Sequence, residues 1–244
     1  MAITINPGTI INPGVSIVAP ALTIDTSGLQ LYLDAGNPLS YPGSGDAWTD
    51  TIGSKVFTLI NGPTYSSNNG GYIQFITNPG TSQYAYCGTP LPTLSNWSIE
   101  VWLYHEGTLG DGACIFTERY GGGTINLTLG SPLIRNTLTP SWFDGYFRQV
   151  TPYSPATGAW YHIVGTYDGT NLTLYVNGNQ VRSDNVGGPA PPAGTHGFNL
   201  MARWDNEVSD AWGGKLSIVR VYNRDIGQIG VTRNFNVEHT RFGL

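Results

Sequence analysis

Apolar and polar residues alternate through residues 97–104. Trp97, Ile99, Val101 and Leu103 fall on one face, and Ser98, Glu100, Trp102 and Tyr104 on the other. A two-residue period is the mark of a strand with one buried face. Similar short runs recur at 29–33, 72–76, 84–87, 114–117, 125–129, 161–167, 172–176, 180–182, 197–201 and 214–222. Asn177-Gly178 separates two of them and predicts a tight hairpin. About ten to twelve short strands divided by turn residues predict an antiparallel two-sheet sandwich. Only 225–239 has a helical pattern, with Asp225 placed to cap its start.

Residues 1–24 stand apart from this pattern. They carry no charge and repeat Ile-Asn-Pro-Gly, at 5–8 and again at 11–14. Pro followed by Gly is a turn signal, and β-branched residues lie between the turns. The division predicted is an N-terminal assembly arm over 1–24 and one β domain over 25–244. Ile5, Pro7, Ile10, Ile11, Pro13, Val15 and Ile17 are the arm residues expected to fold back on an edge strand or dock on another subunit. The segment has no basic residue before Asp25 and no unbroken apolar run, which predicts cytoplasmic synthesis without a signal peptide and no membrane insertion.

Composition narrows the class. The chain has 244 residues, 33 of them Gly and 16 Pro, with 11% charged and 12% aromatic residues. That is too few charges for a disordered tail and too many turn formers for a helical bundle. The formal charge of −5, with no basic cluster, argues against nucleic-acid binding. Cys87 and Cys114 read as two small buried apolar residues.

The residues over 157–178, from Thr157 through Trp160, Tyr161 and His162 to Asn177-Gly178, resemble the central hairpin of concanavalin A-like, laminin-G-like jelly-roll domains. So do 97–102, the closing run 214–224, and the opening 28–34 with Trp48 and Asp50. The resemblance implies an all-β, two-sheet antiparallel jelly roll, here with an extended N-terminal arm and a short C-terminal helix. The uncharged arm and the ending over 236–244 also resemble structural proteins of tailed bacteriophages. That likeness implies a virion protein, on the capsid surface or in a tail or fibre, with other virion proteins and copies of itself as partners.

The same fold family includes glycoside hydrolases, which need two carboxylates about 5–5.5 Å apart. No strand offers acids at alternate positions, and Glu100 stands alone on its strand. The chain is therefore not expected to be an enzyme. The pairing of Glu100 with Arg220 across neighbouring strands is expected to be a surface contact of little energetic weight. Glycan binding needs aromatic platforms with polar side chains beside them. Two segments qualify: Trp142, Phe143, Asp144, Tyr146 and Arg148, and then Arg203, Trp204, Asp205 and Trp212. These rings either stack on host-surface sugars or cover the sandwich edge. Calcium is the ion the resemblance allows, with Asp205, Glu207 and Asp210 as the denser acidic group and Asp34, Asp46 and Asp50 as another. No fixed ligand spacing marks either, so no cofactor is expected. A stand-alone lectin is the alternative to the virion reading.

Overall fold

The computed structural model describes residues 22–244 except 79–80, 110–112, 121–123, 131–136, 144–145, 189, 192–193 and 204–210. The assembly arm, apart from its last three residues, lies outside the described residues, as do Asp144, Trp204, Asp205, Glu207 and Asp210.

The strands run in chain order as β1 (Leu29–Asp34), β2 (Ala47–Thr49), β3 (Val56–Ile60), β4 (Thr64–Ser66), β5 (Tyr72–Phe75), β6 (Tyr84–Cys87), β7 (Trp97–Leu109) and β8 (Cys114–Tyr120). They continue as β9 (Thr124–Gly130), β10 (Pro140–Phe143), β11 (Phe147–Gln149), β12 (Ala159–Tyr167), β13 (Asn171–Val176), β14 (Asn179–Asn185), β15 (Phe198–Leu200) and β16 (Trp212–Tyr222). One α-helix, α1 (Gly227–Glu238), and a 3-10 turn, His239–Phe242, close the chain.

Two antiparallel sheets form the predicted sandwich. The first has the order β14-β13-β12-β7-β16-β5-β4, with β1 also paired to β16. The second has the order β11-β10-β9-β8-β15-β6-β3-β2. Alternation decides which side chains meet between them. Ile99, Val101 and Leu103 of β7 share one core with Phe116 of β8, Phe198 of β15 and Trp142 of β10. The sheets approach so closely at Gly165 that a Cβ there would lie 2.5 Å from Pro140. The Asn177-Gly178 hairpin forms as predicted, with φ of +50° and +79°, a left-handed pair that only such residues adopt at low cost. Cys87 and Cys114 are buried and unbridged. The short strands β2, β3 and β4 and the β10–β11 hairpin are absent from the pattern in the sequence. β2, β4 and β11 have three residues each, too few to show a period, and β3 and β10 have only five and four.

The outer face of the first sheet carries the polar half of β7, and α1 covers it. Arg220 of β16 stands opposite Glu100 of β7. Both side chains have no exposure at all, so the expected weak surface pair is instead a buried one. Arg220 Nη1 donates to Glu100 Oε1 at 2.8 Å and to Glu238 Oε2 of α1 at 3.1 Å. Its Nη2 bonds the other Glu238 oxygen and donates to the Tyr32 hydroxyl at 3.3 Å. Asn234 Nδ2 donates to Glu100 Oε2 at 2.7 Å, and His162 Nε2 lies 2.8 Å from Glu100 Oε1. Trp102 donates to Glu238 at 2.7 Å and stacks on Phe242 at 4.2 Å. Asp225 is not the cap expected of it: Ile226 holds the N-cap position without a side-chain bond, and Asp225, one residue ahead, accepts the Gly227 amide at 2.7 Å. Arg241 grips Asp34 with both nitrogens, at 2.8 and 3.1 Å, and so fastens the C-terminus to β1.

Burial pushes the Glu100 carboxyl up, but Arg220 and the bonds from His162 and Asn234 outweigh it and hold its pKa at about 2. His105 is a different case. It is buried on the core side of β7, its two ring nitrogens find no partner among the described residues, and burial lowers its pKa.

Two predictions follow from these burials. Arg220→Met leaves two carboxylates buried without their cation and lowers the unfolding free energy by about 3–5 kcal/mol in a urea titration. Acid destabilises the fold in two steps of the same sign. The contribution of neutral His105 falls as pH drops through its ordinary 6.5, because the unfolded chain takes the proton more readily. The contribution of Glu100 is complete above its ordinary 4.5 and is lost as pH falls towards about 2. Urea midpoints measured from pH 7 to pH 2.5 should flatten in the upper range for His105→Phe and in the lower range for Glu100→Gln.

Candidate functional site

The second sheet turns a continuous polar row outward. Thr58 pairs with Tyr86, Tyr86 with Asn199, Asn199 with Thr117, Thr117 with Thr128, Thr128 with Ser141, and Ser141 with Gln149. Their strand neighbours Phe57, Ala85, Cys87, Phe198, Leu200, Phe116, Leu129 and Trp142 belong to the core, so alternation sends the row to the other face. The row crosses the strands at about 4.8 Å per step and is roughly 29 Å long. None of its residues is charged.

Its electrostatics are unusual for a buried surface. Asn199, Thr117, Thr128 and Ser141 are buried, while Tyr86 and Gln149 are half-buried and Thr58 is exposed, so the row reaches solvent at its ends. Thr128 Oγ1 donates to the Phe116 carbonyl at 2.8 Å. Asn199 Oδ1, Thr117 Oγ1, Ser141 Oγ and Gln149 Oε1 find no hydrogen-bond partner among the described residues, and neither does Thr139 Oγ1 beside them. A buried polar atom left unpaired costs about 1–3 kcal/mol, so such atoms ordinarily have partners. These atoms are themselves buried, so groups from outside the chain meet the row only at its ends, around Thr58, Tyr86 and Gln149.

The residues expected to bind ligand border this face, but the fold assigns them differently. Trp142 is fully buried, 4.5 Å from Tyr167 and edge-on to Trp97 at 6.3 Å. Trp212 is fully buried against His105 at 5.2 Å. Neither ring can stack on a sugar, which corrects that expectation. The reason for Trp142 is its parity on β10, where it points inward while its neighbour Ser141 points outward. Tyr146 is 75% exposed and remains open, with the Arg148 guanidinium 6.0 Å from its ring. Arg148 is half-buried and donates to the Val186 carbonyl at 3.1 Å, bridging the edges of the two sheets. Phe143 ends β10, paired with Phe147, and Arg203 is half-buried beyond β15.

The acidic groups are largely committed to the scaffold. Asp50 is buried and accepts the amides of Tyr32 and Ile52 at 2.9 Å and Gly53 at 2.8 Å. Asp34 serves Arg241. Among the described residues no group of three or more His, Cys, Asp or Glu could hold a metal ion. The strand is longer than expected, so Glu100 shares β7 with Glu106 six residues on, and it gains Glu238 as a close neighbour only through the docking of α1. Glu100 and Glu238 lie on one guanidinium beneath the helix, and Glu100 stays ionised there. Among the described residues no helix is long and apolar enough to cross a membrane.

Sequence reasoning missed the row itself. Its signal was present as Thr, Ser or Asn at the outward position of successive strands, but only the register shows that these positions are level with one another.

The chain shares its fold with several solved structures. Domain 4 of AbnA, a GH43 extracellular arabinanase from Geobacillus stearothermophilus, solved with arabinotriose, matches 87% of this chain and 98% of its own at 14% identity and a TM-score of 0.67. The binding domain of Paraclostridial Mosquitocidal Protein 1 matches 86% of this chain and 52% of its own at 14% identity, with a TM-score of 0.65. Trypanosoma rangeli sialidase, solved with sialic acid, matches 93% of this chain and 36% of its own at 15% identity, with a TM-score of 0.64. This chain thus spans about half of the second and about a third of the third. No curated protein matches it by sequence. The family model described as the concanavalin A-like lectin/glucanases superfamily matches residues 79–228, more than half of the chain, and with the two-sheet architecture this places the chain in that superfamily.

Proposed function

We propose that this chain is a non-enzymatic jelly roll displayed on a virion surface, and that it binds glycan along the outer face of its second sheet. One observation carries the glycan reading: the row is uncharged along its whole length and meets solvent at Thr58, Tyr86 and Gln149, where hydroxyl and amide groups face a ligand. Sugar hydroxyls both donate and accept, so a saccharide matches Ser, Thr, Asn and Gln without bringing a charge. The solved domain of the arabinanase in complex with arabinotriose supports this reading by analogy of fold. Tyr146, exposed beside β11, is the ring placed to stack at the end of the row.

The non-enzymatic part rests on the carboxylates. Glu100 and Glu238 share Arg220 beneath α1 and are closed to substrate. No step of the reading needs calcium. The virion part rests on residues 1–24, whose uncharged, β-branched sequence suits strand addition to a neighbouring protein or another copy. A stand-alone lectin is the second reading. It is favoured by the way β1 pairs with β16 inside the chain, so the domain closes this edge without the arm.

Removing residues 1–24 separates the two. Under the virion reading, light scattering gives a defined oligomer for the full chain and a folded monomer for the shortened one. Two stable monomers would favour the lectin. Asn199→Ala combined with Ser141→Ala, both buried, should leave binding to an array of bacterial surface glycans unchanged, while the urea midpoint holds or rises because two unpaired buried groups are gone. Tyr86→Ala combined with Gln149→Ala, at the accessible ends of the row, should lower that binding about tenfold or more. Unchanged glycan binding in this second variant would remove the row from consideration.

A further inference from the structure

The outer face of the first sheet is only partly covered. The 3-10 turn ends with Phe242 packed 4.7 Å from the Trp160 ring. Past that ring a second cross-strand row continues in the open: Trp160 pairs with Tyr104, Tyr104 with Lys215, Lys215 with Gln74, and Gln74 with Thr64. Tyr104 and Tyr72 stand edge-on to Trp160 at 5.7 and 5.9 Å and form an aromatic floor. Glu106, two residues beyond Tyr104, rises from its margin.

Glu106 is held in an unusual way for a surface acid. Gln74 Nε2 lies 3.1 and 3.3 Å from its two oxygens, and Lys215 Nζ lies 3.7 Å from one of them. Lys215 is itself fixed over the Tyr104 ring at 4.2 Å and near the Tyr72 ring at 5.2 Å. The side chains remain accessible, Glu106 at 34% and Lys215 at 22%. An exposed carboxylate ordinarily moves freely and loses entropy on binding. This one is already oriented, with an amide, an ammonium and aromatic rings around it. The charges of Glu106 and Lys215 offset each other, so the patch offers hydrogen bonds without a net charge.

We propose that this strip is a second saccharide site, for a neutral pyranoside bearing two adjacent hydroxyls. The two hydroxyls donate to the Glu106 carboxylate. Gln74 and Lys215 donate to neighbouring sugar oxygens, and the Tyr104 ring acts by holding the Lys215 ammonium in place for this. The site lies on the opposite outer face of the sandwich from the Asn199–Ser141 row and does not depend on it. A chain with both would engage two sugars on opposite sides and cross-link the surface it touches.

The test uses the full chain labelled with 15N, titrated with the methyl pyranosides of glucose, galactose and mannose. At least one should give saturable shifts at the Gln74 side-chain amide and at the backbone of 104–106. Glu106→Gln and Tyr104→Ala should each weaken that binding by about tenfold or more, as loss of a charge-assisted hydrogen bond, or of the ring that positions Lys215, requires. Urea midpoints close to the parent chain show that these exposed or half-buried substitutions leave the fold intact. The Asn199→Ala, Ser141→Ala double variant should leave these shifts unchanged. The proposal is overturned if none of the three sugars shifts these signals, or if the shifts persist at the same affinity in Glu106→Gln. Shifts confined to the strands of the second sheet would overturn it while supporting the row. Shifts confined to 72–75, 104–106 and 212–216 would support it and count against the row.

Discussion

Arg220 is a fixed cation at the centre of a sheet with no exposure to water. A buried guanidinium is tolerable only when carboxylates surround it with good geometry, because desolvation otherwise exceeds the attraction. The register of β16 on β7 supplies Glu100 directly opposite. The second carboxylate comes from Glu238, on the helix that follows β16. To deliver it, α1 must lie across the outer face of the first sheet. Asn234, Phe235 and Phe242 then reach Glu100 and Trp102 as consequences of that placement. The helix has little propensity of its own, with Gly227 and Gly230 in its first turns. It is held by what lies beneath it.

This constraint divides the molecule's surfaces. The first sheet spends part of its outer face on the charged network, and the strip around Tyr104, Lys215 and Gln74 stays open. The second sheet has no such cation. Its outer row is uncharged, and several of its buried side-chain oxygens find no partner among the described residues. The carboxylates that could resemble a catalytic pair are used as ligands of Arg220.

The alternation of Trp97 to Tyr104 and the Asn177-Gly178 turn made the sandwich readable before any coordinates, because strand period and turn chemistry are local. The helix near Asp225 was readable for the same reason. The fate of the aromatic residues was not. Trp142 lies in a segment that reads as an aromatic loop, yet it forms a hairpin, and a single step of parity turns the ring into the core. Glu100 and Arg220 were recognisable as a pair from neighbouring strands. Their burial was not, since it depends on a helix that arrives at the end of the chain.

The sequence by itself determined the class of fold, the strand faces and the central hairpin, all of which follow from periods and turns a few residues long. The tertiary structure alone decided which polar positions become level across neighbouring strands, which rings are withdrawn from solvent and which carboxylates are neutralised. Those outcomes rest on register and on the docking of α1. They join residues more than a hundred positions apart, as Glu100 joins Arg220 and Glu238, and no local pattern records them.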